Sequence, residues 1–181
     1  MVFIFLHKPN TMNLQTKETQ EAAYQLAGLI YGISFDGIVT KNEYNALKNW
    51  CNVHEGLCEN ETFQQLYSRV HPIIEDGKVN HEELEEMKLI LREFVADIGS
   101  EKLDRPNLFF LHGIFEGILA SGDINTYEVY RLNQWLEKNE HLRDHASFQE
   151  LFELVHRVLE DQKVDDEEAK LLKSFFADQL A

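Results

Sequence analysis

The chain has 181 residues, enough for one well-cored domain or two small ones, and its 44% hydrophobic and 27% charged residues are ordinary for a globular protein. Its 17 Lys and Arg stand against 32 Asp and Glu, a formal net charge of −15. Counterion release at phosphates needs clustered Lys and Arg, and a polyanion is repelled by such a surface, so direct binding of nucleic acid or of an anionic membrane is not expected. The halves are alike: 8 basic and 15 acidic residues precede position 98, and 9 and 17 follow, so neither carries a basic patch.

In chain order, "MVFIFLHKPNTMN" has a short apolar run and no leading charge, so it does not read as a signal peptide. The expectation over 1–16 is a short strand or an unstructured extension, with Met12 an alternative start. Helical spacing then begins: Leu26, Leu29, Ile30 and Ile33 recur at i, i+3, i+4 and i+7. Four helices are expected over 17–35, 40–54, 62–75 and 80–97, forming a first unit at 17–98. A linker over 99–105 leads to a second unit at 106–181, with helices over 106–120, 125–139, 147–160 and 165–179. No apolar run approaches the roughly 18 residues a membrane span needs. Cys51 and Cys58, separated by six residues, form neither a zinc spacing nor a disulfide framework, and read as reduced thiols of a cytosolic protein.

The two units are copies. Residues 26–95 lie over 111–180 at a constant shift of 85 without gaps, with 22 of 70 positions identical, including Gly28/Gly113, Gly32/Gly117, Trp50/Trp135, His71/His156 and Asp76/Asp161. The fold class expected is all-α: a tandem duplication of a four-helix unit, packed as one body with approximate twofold symmetry. Gly28 and Gly32 share a helix face, as do Gly113 and Gly117. Each Gly costs nearly 1 kcal/mol of helix propensity, so the repeated pattern predicts that the first helices of the two units pack closely at the centre. Trp50 and Trp135 read as core anchors, and His71 and His156 as structural residues.

"EDGKVNHEE" (75–83) and "EDQKVDDEE" (160–168) resemble the back half of an EF-hand calcium loop. With Asp76 at loop position 5, however, positions 1 and 3 fall on Pro72 and Ile74. The same test on Asp161 gives Arg157 and Leu159, with Gln162 where the turn wants Gly, and on Asp36 it gives Gly32 and Ser34. Half the ligands are missing each time. Helix capping accounts for more: Thr40/Glu43, Thr62/Gln65, Asn80/Glu83, Asn125/Glu128, Ser147/Glu150 and Asp165/Glu168 all have capping-box spacing, and their acids suit the positive helix end. The exposed acids Glu82, Glu85, Glu86, Asp166 and Glu167 read as solvated helix starts or as weak candidates for touching a basic partner. No nucleophile elbow, P-loop or dinucleotide fingerprint is present, so no catalytic or cofactor-binding residues are expected.

"GIFEGILASGDINTYEVYRLNQWLEKN" followed by "FQELFELVHRVLEDQKVDDEEAKLL" resembles the TerB-like helical domain named for tellurite-resistance proteins, closest to the version beside BRCT domains in bacterial DNA-processing proteins. The resemblance spans both units, but no BRCT domain follows, Ser121 replaces an Asp and Gln162 a Gly. It implies a non-enzymatic accessory module of bacterial or phage stress, defence or DNA-processing systems. It also implies, as an alternative, a divalent metal held weakly by Asp36, Glu43, Asp76, Glu83, Glu128, Asp161 and Glu168. The function expected is a cytoplasmic protein-binding adaptor for a partner with a basic patch, without cofactor. The alternatives are a metal-binding stress protein and an acidic inhibitor that mimics nucleic acid.

Overall fold

The computed structural model of the chain describes residues 11–35, 39–97 and 108–181, and these are all-α. The helices are α1 (Thr11–Ile33), α2 (Lys41–His54), α3 (Glu61–Glu75), α4 (His81–Asp97), α5 (Leu108–Ser121), α6 (Thr126–Lys138), α7 (Ala146–Val158) and α8 (Asp166–Leu180). Single 3-10 turns, Glu55–Glu59 and Glu140–Asp144, lead into α3 and α7. No strand occurs among the described residues. The VFIFL segment, Asp36 and the 99–105 linker lie outside them.

α1 begins six residues before the expected position 17 and ends at Ile33. Its first turns (Thr11 to Lys17) carry little apolar periodicity, but they include good helix formers such as Met12, Leu14 and Gln15, and no Gly or Pro. Helix propensity therefore extends the element where amphipathic spacing is silent.

The centre of the molecule is the α1–α5 seam, the most extensive helix pair. The two helices run in the same direction, since Gly28 faces Phe110 and Ile114 while Gly32 faces Ile114 and Gly117. A Cβ at Gly28 would overlap the Phe110 carbonyl oxygen, and one at Gly113 would overlap that of Gln25. The close approach that the glycine spacing predicts is thus present, because only a hydrogen fits between the backbones.

Either side of the seam lies a separate core. One gathers Leu26, Ile30, Leu47, Phe63, Leu66 and Leu84, and the other Ile114, Phe115, Leu132, Phe148, Leu151 and Phe176. Phe110 packs against both. α4 leans on α1 and α8 on α5, so each core is closed by the last helix of its half. Trp50 is buried and donates Nε1–H to the Ala22 carbonyl at 3.2 Å. Trp135 is not its equal: it is only partly buried, and it stacks on Phe110 with centroids 5.6 Å apart.

The seam's flanks differ in chemistry. On one, Gln25 Nε2 donates to Glu116 Oε1 at 2.8 Å. On the other, Tyr31 and Phe110, which stand 85 positions from Glu116 and Gln25, pack ring to ring at 5.9 Å. One flank is closed by a hydrogen bond and the other by aromatic contact.

Four helix starts carry the expected box. Thr40 Oγ1 accepts from the Glu43 N–H and Glu43 Oε2 accepts from the Thr40 N–H at 2.6 Å. The reciprocal bonds recur for Asn80 with Glu83, Asn125 with Glu128 and Asp165 with Glu168. The third helix of each half departs from the expectation. Asn60, a better N-cap than Thr, receives the N–H groups of Thr62 and Phe63, so Thr62 lies inside the helix. α7 starts after His145 with no side-chain cap bond, which puts Ser147 inside it too. The 3-10 turns decide this, since each ends at the residue before its cap.

Candidate functional site

α6 and α7 bury one stripe each and leave the other exposed. Val129, Leu132 and Leu136 of α6, and Phe148, Leu151 and Val155 of α7, go inward. The outward stripes face a groove of about 1680 Å³. Its α6 wall presents Tyr127 and Tyr130, 55% and 51% exposed, at one-turn spacing. Its floor includes Phe152, 7% exposed.

Guanidinium groups sit on these rings. Arg143 Cζ lies 4.5 Å above the centroid of Phe152, with Nη1 3.5 Å from Glu140 Oε1. Arg131 Cζ lies 6.0 Å from the Tyr127 centroid. Tyr130 has no ring, cation or hydrogen-bond partner among the described residues. His156, exposed at the same groove, is not the structural residue expected, whereas His71 stacks on Tyr67 at 4.9 Å. Glu153 accepts from Gln149 Nε2 at 3.2 Å. Glu153 and Arg157 also line a smaller groove of about 550 Å³ between α7 and α8.

The expected acids are not brought together. Asp76 Oδ1 accepts from the Lys78 N–H and Asp161 Oδ1 from the Lys163 N–H, each closing a local turn. Glu83 and Glu168 are spent on caps. Glu43 and Glu128, only 1% and 2% exposed, are buried within theirs, which the spacing does not reveal. Asp36 lies outside the described residues, and among the described residues no three His, Cys, Asp or Glu gather into a possible ion site. Glu82, Glu85 and Glu86 of α4 and Asp166 and Glu167 of α8 are exposed, as expected. Lys88, hydrogen-bonded to Glu85 at 2.6 Å, holds that carboxyl below its usual range.

Burial pushes the Cys51 thiol up to about 11, with the Cys58 charge adding to it. Cys58 is raised as well, by burial and then by Glu55. Both thiols stay protonated near neutrality and are poor nucleophiles.

The tyrosine pair is what the sequence reading missed. A signal was available: Asn42 and Asn45 stand 85 positions before Tyr127 and Tyr130, so aromatics occupy these places on α6 and not on α2.

Compared with family models, with curated proteins and with solved structures, the chain matches none. Among the described residues no helix is long and apolar enough to cross a membrane.

Proposed function

We propose that this protein is a non-enzymatic protein-binding adaptor of the bacterial or phage cytoplasm, acting in stress, defence or DNA-processing systems. The observation that carries the reading is the α6–α7 groove, whose lining includes two tyrosines more than half exposed and a buried phenylalanine. Tyr and Arg are the residues on which protein interfaces concentrate their binding energy, and exposed aromatic clusters on a folded surface mark contact sites. The charge of −15 favours a partner with a basic patch and speeds its encounter.

The architecture behind the groove is a tandem duplication of a TerB-like four-helix unit with approximate twofold symmetry. The seam supports this: Gly28 meets Phe110 and Ile114, and Gly113 meets Gln25 and Leu29, the same positions displaced by 85. Each half depends on the other to cover its glycine face. Residues 1–99 alone should therefore melt without cooperativity, and a sharp transition from that fragment would refute the single body.

The adaptor reading is tested by affinity capture from the native host with the tagged chain and a Tyr127→Ser/Tyr130→Ser variant in parallel. The wild type should recover a specific protein, less of it as salt rises, and the variant should not. Purified chain should leave duplex and single-stranded DNA unshifted at about 0.15 M salt. Turnover of a small molecule or tight DNA binding, with no protein recovered, overturns the reading.

A further inference from the structure

We infer that the α6–α7 groove receives a basic amphipathic α-helix of a partner protein, with an arginine or lysine of that helix seated on the ring of Tyr130. The inference rests on the adaptor reading and names its occupant.

The walls argue for a helix. Both are helices whose backbone N–H and C=O groups are spent internally, and the described residues offer no sheet edge. An extended segment would find no backbone ladder to join, whereas a helix arrives with its own bonds made and needs only apolar contact. The 13 residues of α6 span about 20 Å, the length of three to four turns of such a ligand.

The rings argue for a cation. Phe152 and Tyr127 each have one of the protein's own guanidinium groups over or near the ring, at 4.5 and 6.0 Å. Tyr130 stands beside them, half exposed and without such a partner among the described residues. A cation over a tyrosine face is attracted by the ring quadrupole, more strongly as water is excluded. Tyr130 is therefore the unfilled member of a set whose neighbours show what fills it.

Charge settles the sign of the ligand. Within the lining, Arg143 and Arg157 are offset by Glu153 and Glu160, so the groove is locally neutral. The field an approaching helix meets is then that of the whole molecule at −15, which draws a basic helix and repels an acidic one. Asn45 occupies the corresponding place on α2, so the first half offers no equivalent seat.

Selection on the immobilised full chain from a display library of amphipathic helices, with counter-selection on Tyr130→Ala, tests this. Helices with Arg or Lys one turn from apolar residues should be enriched. Their affinity should fall about tenfold or more on Tyr130→Ala, stay unchanged on Asn45→Ala, and be lost when proline breaks the peptide helix. Tyr130→Ala should retain the wild-type melting temperature, since the ring is exposed. Enrichment of acidic or proline-rich peptides, insensitivity to Tyr130→Ala, or no enrichment overturns the inference. If the natural partner captured from the host still depends on Tyr127 and Tyr130 while no helix is enriched, the adaptor reading stands and the helix falls.

Discussion

Gly32 and Gly117 meet backbone to backbone: a Cβ on Gly117 would lie 3.0 Å from the Gly32 Cα and 2.7 Å from the Leu29 carbonyl oxygen. These neighbours are main chain, so neither can turn aside as a side chain would. Ala at either position should cost about 2 kcal/mol, the overpacking strain less the helix propensity recovered. Gly28→Ala and Gly113→Ala should cost more, since their Cβ atoms would lie 1.9 and 2.1 Å from carbonyl oxygens, closer than the 2.6 and 2.7 Å at Gly32 and Gly117. Gly56, with open space around it and no positive φ, is the control, and Gly56→Ala should be neutral or stabilising. Urea unfolding of the five variants checks the order.

The four boxed caps divide by burial. Glu83→Ala and Glu168→Ala remove partly exposed caps and should each cost about 1 kcal/mol. Glu43→Ala and Glu128→Ala remove a buried acceptor from the cap N–H and leave a hole in the packing, so about 2 to 3 kcal/mol is expected. Chelator or excess calcium should move none of these melting temperatures. Equal costs at all four positions would mean that burial of Glu43 and Glu128 is energetically idle.

The difference between those two pairs shows where sequence reasoning stopped. Box spacing is a local signal, and it located four helix starts, but Glu43 and Glu83 have the same spacing and only tertiary packing buries one of them. The glycine pattern was legible because it states a distance: two glycines one turn apart on each of two helices leave room only for another backbone. Asn60 was overlooked because Thr62, two residues later, also fits a box, and the intervening 3-10 turn has no periodicity to display. Tyr127 and Tyr130 were not singled out because a polar-face aromatic is unremarkable until a second helix lies beside it. What one helix presents follows from its sequence, whereas a groove belongs to two.

Gln162 has φ of 63°, in the region that Gly77 and Gly122 occupy at 89° and 82°. A side chain there costs about 1 to 2 kcal/mol, and glycine's extra unfolded freedom returns about half of that. Gln162→Gly should therefore stabilise by about 0.5 to 1 kcal/mol, read as a higher denaturation midpoint at unchanged slope. A loss of stability would show that the Gln162 side chain contributes more than its backbone strain removes.

Thr19 is buried on α1, and its Oγ1 has no hydrogen-bond partner among the described residues. A buried hydroxyl left unpaired costs about 1 to 3 kcal/mol of desolvation. Thr19→Val keeps the shape and removes the polar atom, so it should stabilise by about 1 kcal/mol. Thr19→Ser, which keeps the hydroxyl and loses a methyl, should destabilise, and calorimetry of the pair separates the two contributions.

Glu116 makes the seam sensitive to pH. Burial raises its carboxyl above the usual range, against the opposing effect of the Gln25 hydrogen bond. Between the unfolded value near 4.5 and the higher folded value, the native state holds more protons than the unfolded chain. Stability from this group is thus present below that window and lost as pH rises through it. Burial lowers His112 and His54 below 6.5, so here the unfolded chain takes the proton first and stability falls as pH drops through that region. The two effects oppose each other across mildly acidic pH and are separable by substitution. Glu116→Gln keeps an acceptor for Gln25 and removes the charge, so it should melt above the wild type at pH 7 and converge with it below about pH 4.5. A variant that melts lower at neutral pH would show that the ionised Glu116 stabilises the seam, and that its hydrogen bond to Gln25 outweighs the cost of burying the charge.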